Sequence, residues 1–183
     1  MRKPPQIYNL EIPDDDYKMA AVMERDKVNF ESPNIWFYVG ADSRDPSFVK
    51  VGITMGDLRS RSYSSANPNY HLFCAFQCYH HTTKSQLESI ETGALAYLDD
   101  LFPNHRARHW ESQHLSECYY NIDFEKFFSC LHDYLLDNHH RNFQTAAFEN
   151  EIGVEEGYAL AWEFNPRLSP KVKSRFRSLI LRY

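Results

Sequence analysis

Two short apolar runs in the first third of the chain predict adjacent strands. The runs are "IWFYVG" at 35–40 and "SFVKVGIT" at 47–54, and a polar loop, "ADSRDP", separates them. Runs of this length, rich in aromatic and β-branched residues and bounded by Pro, Gly and Asp, are typical of strands. A third aromatic run, "HLFCAFQCYH" at 71–80, predicts a third strand.

The segment that follows changes to a helical period. "TTKSQLESIETGALAYLDDLF" spans residues 82–102, and Thr83 is suited to cap the N-terminus of a helix that ends before Pro103. Its apolar positions recur at spacings of three and four: Leu87, Ile90, Ala94, Leu98 and Leu101. A second amphipathic helix is predicted over residues 123–140.

Weaker patterns complete the chain. "DDDYKMAAVMERDKVNF" at 14–30 predicts a helix that begins at an aspartate cluster, and "GYALAWEF" at 157–164 predicts a late strand. Residues 104–122 are expected to form a loop with at most a short strand. Consecutive strands joined by short loops favour an antiparallel sheet, so we expect an α+β fold with a small three-stranded antiparallel sheet flanked by helices.

Composition limits the class of protein. The chain has 183 residues, of which 43% are hydrophobic and 15% aromatic, enough for one domain with an aromatic core. Because no run of eighteen apolar residues occurs, we expect no membrane span. The first residues lack the apolar core of a signal peptide. We therefore expect a soluble, cytoplasmic protein.

The cysteines and histidines of "CAFQCYHH" raise the question of a zinc site. Cys74, Cys78, His80 and His81 are close in sequence, but they lie in an apolar predicted strand, and no second ligand pair has zinc spacing. Buried, reduced cysteines are therefore favoured over zinc ligands.

Charge is unevenly distributed along an acidic chain. The net charge of −5 argues mildly against a nucleic-acid coat protein, but residues 170–183 hold five basic side chains and no acidic one. Lys171, Lys173 and Arg175 are candidates for contacts with phosphates. The alternative is a solvated C-terminal helix whose cations suit its own C-terminal end.

Glu91 is a carboxylate on an apolar helix face. At 100° per residue it lies on the same face as Leu87, Ala94 and Leu98. A carboxylate there is costly unless a charged group meets it, so Glu91 is predicted to have a buried or cleft-facing role. The alternative is a glutamate at the margin of the stripe, paired with an arginine.

A series of short motifs runs through this central region in a recognisable order. "WFY" at 36–38 ends in Tyr38, "KVG" at 50–52 begins with Lys50, and "DLRSR" ends at Arg61. "SANP", the helix with Glu91, and "ECY" at 117–119 follow in that order.

This ordered series resembles the GIY-YIG nuclease superfamily, in particular its phage-type branch. In that branch, lysine replaces the tyrosine of YIG, and an E-W-F-like tripeptide follows the glutamate helix. The resemblance covers residues 35–131, which we take as a nuclease core between an N-terminal extension, 1–34, and a C-terminal extension with the basic tail, 132–183. Trp36 and Phe37 replace the first two GIY residues, "ECY" lacks the tryptophan, and Gly56 leaves open whether Arg59 or Arg61 points inward.

The resemblance implies a metal-dependent DNA endonuclease. Tyr38 would be the general base, Lys50 would orient the water or favour the phenolate, and Arg61 would grip the phosphate. Glu91 would hold one Mg²⁺ or Mn²⁺. Besides the basic tail, Arg59, Arg106 and Arg108 are candidates for DNA contact.

Other functions remain open from the sequence. The enzyme would belong to a phage, prophage or mobile element with a restriction, defence or homing role, and would act in the host cytoplasm if a phage encodes it. Cutting both strands would need a homodimer or two separate events. The alternatives are a catalytically inactive GIY-YIG-like binding or regulatory protein, which the acidic body favours, and a virion assembly protein.

Overall fold

The computed structural model describes residues 4–13, 16–58, 61, 67–149 and 155–183. The helices are α1 (Tyr17–Glu31), α2 (Lys84–Leu101), α3 (Phe124–His139) and α4 (Pro170–Ile180). The strands are β1 (Trp36–Asp42), β2 (Val49–Thr54), β3 (Tyr70–Gln77), β4 (Arg106–Arg108), β5 (Leu115–Tyr119), β6 (Thr145–Glu149), β7 (Glu155–Leu160) and β8 (Trp162–Phe164). The predicted α+β class is confirmed. Within the described residues, no helix has the length and hydrophobicity needed to cross a membrane.

The central sheet has six strands, so the prediction of three strands was wrong. Their order is β4-β5-β2-β1-β3-β8, and every neighbouring pair is antiparallel. The three predicted strands form its centre. β4 and β8 have only three residues each and β5 has five, so local patterning is weak in all of them. A separate hairpin joins β6 to β7, and the predicted strand over 157–164 is divided between that hairpin and β8.

The two faces of the sheet bury different side chains. On β1, Phe37 and Val39 face the main core, which the helices complete, whereas Trp36 and Tyr38 belong to a small second cluster with Leu72. Successive residues of a strand point to opposite faces, so the alternation follows directly from β1 being central. The residues of this second cluster are themselves buried, so the second face carries a small packed cluster of its own, apart from the main core.

Helix α2 begins and ends where the sequence predicts. The Thr83 hydroxyl accepts a hydrogen bond from the Gln86 backbone, and the Gln86 side chain accepts one from the Thr83 backbone, which completes a capping box. Leu87, Ile90 and Leu98 are buried. Leu101, which the spacing assigns to the same stripe, is instead exposed at the last turn.

Residues of the predicted C-terminal extension, 132–183, and residues of the predicted nuclease domain, 35–131, pack into one hydrophobic core. Phe73 of β3 makes edge contacts with Phe124, Phe128, Phe164 and Phe176, at ring-centroid distances of 4.7–5.9 Å. Such aromatic pairs add stabilisation beyond their buried area. The predicted boundary at residue 131 falls inside α3, and β8 pairs with β3, so the described residues after 131 pack into the same fold as those before it.

Phe128 is the best position for a test of this aromatic core. It is fully buried and contacts rings from β3, β8 and α4. We expect Phe128→Ala to lower the free energy of unfolding by about 3–5 kcal/mol, because it removes contacts and leaves a cavity. Urea denaturation followed by circular dichroism measures this change. Trp110→Ala, which removes an 88% exposed ring, should change it by less than about 0.5 kcal/mol. A Phe128 effect as small as the Trp110 effect would contradict the packing described here.

Candidate functional site

Two tyrosine rings lie over glycines on the second face of the sheet. Tyr38 of β1 is opposite Gly52 of β2, and Lys50 is opposite Gly40. A Cβ atom added at Gly52 would overlap the ring of Tyr38, and one added at Gly40 would overlap the ring of Tyr70. The two glycines therefore let the phenol rings lie close to the sheet, with Lys50 beside them.

Charged groups from several elements act on the Tyr38 hydroxyl. Burial raises the pKa of Tyr38 to about 12; the Arg61 guanidinium opposes this shift, and the carboxylates of Glu117 and Glu91 add to it. These interactions require Arg61, Glu91 and Glu117 to be near the phenol. Tyr38 and Lys50 lie on the second face of the sheet, and the charges of Arg61 and Glu91 act on Tyr38. Glu91 comes from helix α2, whose buried residues pack in the main core, and Lys50 acts on Glu91.

Glu91 has the unusual environment that the sequence predicts. It is half-buried on α2, and burial raises its pKa to about 7, helped by the nearby carboxylates of Glu117 and Glu88. Lys50 and Arg106 oppose the shift. Desolvation disfavours the charged form of an acid, and like charges do the same, so near neutral pH this carboxyl group is divided between its protonated and ionised forms.

Glu117 is a site residue to which the sequence analysis gave no role. It lies on β5, and its Oε2 atom is 3.7 Å from the Nζ atom of Lys50. β5 aligns with β2 through the pairs Val49 with Tyr119 and Lys50 with Cys118. The only sequence signal was its place in "ECY", because its proximity to Lys50 depends on a strand pairing between residues 67 positions apart.

Tyr70 of β3 was also missed. The Nζ atom of Lys50 is 6.0 Å from the centre of its ring, within the range of a cation–π contact. Burial raises the pKa of Tyr70 above its ordinary value, and the charges of Tyr38, Cys118 and Glu117 add to this effect. Tyr70 therefore extends the site from β1 to β3.

Oxygen donors at this site suit a hard cation. Glu91 is half-buried and Glu117 is exposed, and the Glu117 carboxylate is near enough to raise the pKa of Glu91. Mg²⁺ and Mn²⁺ prefer such ligands, and Mg²⁺ commonly uses one or two carboxylates and keeps several waters. No group of three or more His, Cys, Asp or Glu side chains suited to a metal is found in the described part of the chain. Cys74 and Cys78 are buried, and burial raises the pKa of both thiols.

The remaining predicted DNA contacts have different surroundings. Arg106 pairs with Asp99 at 2.8 Å and donates to the Ser116 carbonyl, so its guanidinium has partners within the fold. Arg108 is exposed and donates to the Gln113 carbonyl. Arg59 lies outside the residues that the structure describes.

The three basic candidates of the tail lie on α4. Arg175 forms an ion pair with Glu125 at 2.6 Å, and Lys173 donates to the Pro166 carbonyl at 3.3 Å. Lys171 is exposed. α4 begins at the cap Ser169, and Phe176 and Ile180 bury its other face. Contact with DNA stays a prediction for all three.

No protein-family model, curated protein or solved structure matches this chain.

The raised pKa of Glu91 makes stability depend on pH. Its value is about 7 in the folded protein against 4.5 ordinarily, so folding takes up a proton between these limits. The carboxyl therefore costs no stability below about pH 4.5, and the cost is complete above about pH 7. We expect Glu91→Gln to gain stability relative to the parent between pH 5 and pH 8, by about 1–2 kcal/mol after discounting for solvent screening.

Urea denaturation at both pH values, in EDTA, measures this difference. Glu111→Gln is the matched control, because Glu111 is exposed in the loop between β4 and β5. Its stability relative to the parent should be the same at pH 5 and pH 8. If the Glu91→Gln difference were equally independent of pH, Glu91 would not have the environment described here.

Proposed function

We propose that this chain is a metal-dependent DNA endonuclease that hydrolyses phosphodiester bonds with GIY-YIG-type chemistry. The observation that supports the proposal is electrostatic and geometric. Tyr38 and Lys50 lie on one face of the sheet, the charges of Arg61 and Glu91 act on Tyr38, and Lys50 acts on Glu91. These four side chains come from β1, β2, α2 and the segment after β2, so their meeting is not a consequence of sequence proximity.

The reaction requires a water molecule to attack phosphorus in line with the leaving oxygen. Arg61 suits the non-bridging oxygens, because a guanidinium presents paired donors to paired acceptors. Lys50, held between Glu117 and the Tyr70 ring, adds a second cation for the charge that develops on the phosphate. Glu91 and Glu117 would hold a Mg²⁺ or Mn²⁺ ion, which supplies Lewis acidity at the leaving 3′-oxygen.

Tyr38 is proposed as the group that takes the proton from the water. With a pKa of about 12 it keeps its own proton at neutral pH in the free protein. The phenolate must therefore form in the substrate complex, where Arg61 favours it and where neutralising Glu91 and Glu117 removes two charges that oppose it.

A second candidate function is a binding or regulatory protein that does not cut DNA. The net charge of −5 and the high pKa of Tyr38 favour this alternative. Divalent metal separates the two candidates, because only the endonuclease requires it at Glu91.

Plasmid nicking tests the proposal. With Mg²⁺ or Mn²⁺ the purified protein should convert supercoiled plasmid into open-circular or linear forms, and EDTA should stop the reaction. Glu91→Gln should abolish cutting, and Tyr38→Phe should slow it by about 10²–10⁴-fold, because general base catalysis is lost. Glu111→Gln should cut like the parent. Circular dichroism confirms that each variant is folded. A parent protein that is inert on supercoiled, linear and single-stranded DNA, or a Glu91→Gln variant that cuts normally, would disprove the catalytic proposal.

Gly52→Ala tests the placement of Tyr38 separately. The new methyl group would overlap the Tyr38 ring, which must move away from the sheet. We expect cutting to fall at least about 10-fold, since small displacements of reacting groups are costly. Gly93→Ala is the control, because its methyl group would meet the Tyr134 hydroxyl on α3 and not the site. Equal rates for the two variants would mean that the position of the Tyr38 ring does not matter for cutting.

A further inference from the structure

A cavity of about 590 Å³ adjoins the candidate site on the same side of the sheet. It lies between β3, β8 and the loop that follows β8 at 165–167. Tyr70 lines this cavity and also belongs to the site, where it covers Gly40 and faces Lys50. Cavity and site are therefore contiguous through a single side chain.

The loop at 165–167 is held in a fixed shape. The Asn165 side-chain amide donates to the Leu72 carbonyl at 2.7 Å, and its oxygen accepts from the Arg167 backbone at 2.9 Å. Lys173 of α4 donates to the Pro166 carbonyl. This cavity wall is thus formed before any ligand binds, which reduces the entropy that binding would cost.

The lining combines apolar surfaces with two opposite charges. Leu72 and Phe164 provide apolar surface, and Glu163 and Arg167 provide an exposed carboxylate and an exposed guanidinium. Arg167 forms no ion pair with any side chain in the described part of the chain. A carboxylate accepts hydrogen bonds from the amino group of cytosine, while a guanidinium suits a phosphate.

The size of the cavity also restricts its occupant. Small-molecule pockets measure about 300–1,000 Å³, so one nucleotide fits here, whereas a base that remains stacked and paired in a duplex cannot enter. A ligand that carries only phosphate would be disfavoured by the carboxylate of Glu163, whereas a nucleotide offers its base to Glu163 and its phosphate to Arg167.

We propose that this cavity binds the unpaired base of a nucleotide next to the phosphodiester at the site. The base packs against the apolar wall, Glu163 accepts a hydrogen bond from its exocyclic amino group, and Arg167 meets its phosphate. The substrate class is consequently DNA with single-stranded or extrahelical nucleotides. This inference rests on the proposed function for the identity of the neighbouring site.

Binding of single strands of about 12 nucleotides tests the proposal without cutting. Fluorescence anisotropy in EDTA compares dC, dA and dT homopolymers with an abasic strand of equal length and charge. We expect the base-bearing strands to bind about 10-fold more tightly, as stacking of one base implies. Strands of dC and dA, which carry amino groups, should bind more tightly than dT.

Variants locate the preference in the cavity. Glu163→Trp, a substitution at an exposed strand position, should fill the cavity and remove the preference for base-bearing strands. Glu163→Gln should reduce only the preference for dC and dA over dT. Trp110→Ala, an exposed ring elsewhere, and Arg141→Ala, an exposed arginine outside the cavity, should bind all strands like the parent. Circular dichroism identifies any variant that fails to fold. If one of the two Glu163 variants does not fold, the other still tests the role of the cavity.

The outcomes separate this inference from the proposed function. The cavity proposal is overturned if abasic and base-bearing strands bind equally. It is also overturned if Trp110→Ala, and not Glu163→Trp, loses the preference for base-bearing strands. Both conclusions hold whatever the nicking assay shows. A preference that depends on Glu163 in a protein that never cuts DNA supports the base site and disproves the endonuclease.

Discussion

The constraint on which the candidate site depends is the half-buried carboxylate of Glu91, which lies near the exposed carboxylate of Glu117. Burial and mutual repulsion raise the pKa of Glu91 to about 7, so the arrangement costs stability in the free protein. Lys50, whose ammonium group is 3.7 Å from Glu117, and Arg106 offset part of this cost. A fold that keeps such an arrangement must hold both acids rigidly, since otherwise they would separate. Helix α2 holds Glu91 through its buried leucines, and the pairing of β5 with β2 holds Glu117.

The main core and most of the candidate site lie on opposite faces of the sheet. One face is buried against the helices and contains the phenylalanine cluster around Phe73, whereas the other carries the tyrosines, Lys50 and the cavity. Residues far along the chain complete both faces. Phe176 of α4 closes the core, and Glu163 of β8 with the loop at 165–167 closes the cavity. The C-terminal third is therefore part of the structure that forms the site's surroundings, even though the family-like motifs end before it.

The sequence allowed prediction of those features that the local pattern of apolar and polar residues determines. The central strands and helices α2 and α3 follow from apolar periodicity, and Glu91 was identifiable because it interrupts an apolar stripe. The strands β4, β5 and β8 are short, and only their pairing partners stabilise them, so the sheet was predicted too small. Glu117 and Tyr70 were missed for a related reason: their roles depend on strand register. The ion pair of Arg106 with Asp99 could not be predicted either, because it depends on the contact between β4 and α2.

The raised pKa values of Glu91 and Tyr38 are not independent. Glu91 and Glu117 are the acids suited to a divalent cation, and their negative charges are also among the causes that keep Tyr38 protonated, after burial. A positive charge that neutralises these acids therefore lowers the pKa of Tyr38 and also removes the repulsion between the two carboxylates. In the proposed endonuclease the phenol would consequently become a better base only when the acids are occupied, and Arg61 acts in the same direction. Such an arrangement would couple proton removal to the presence of both cation and substrate, because without them the acids would lack their cation and the phenol would keep its proton.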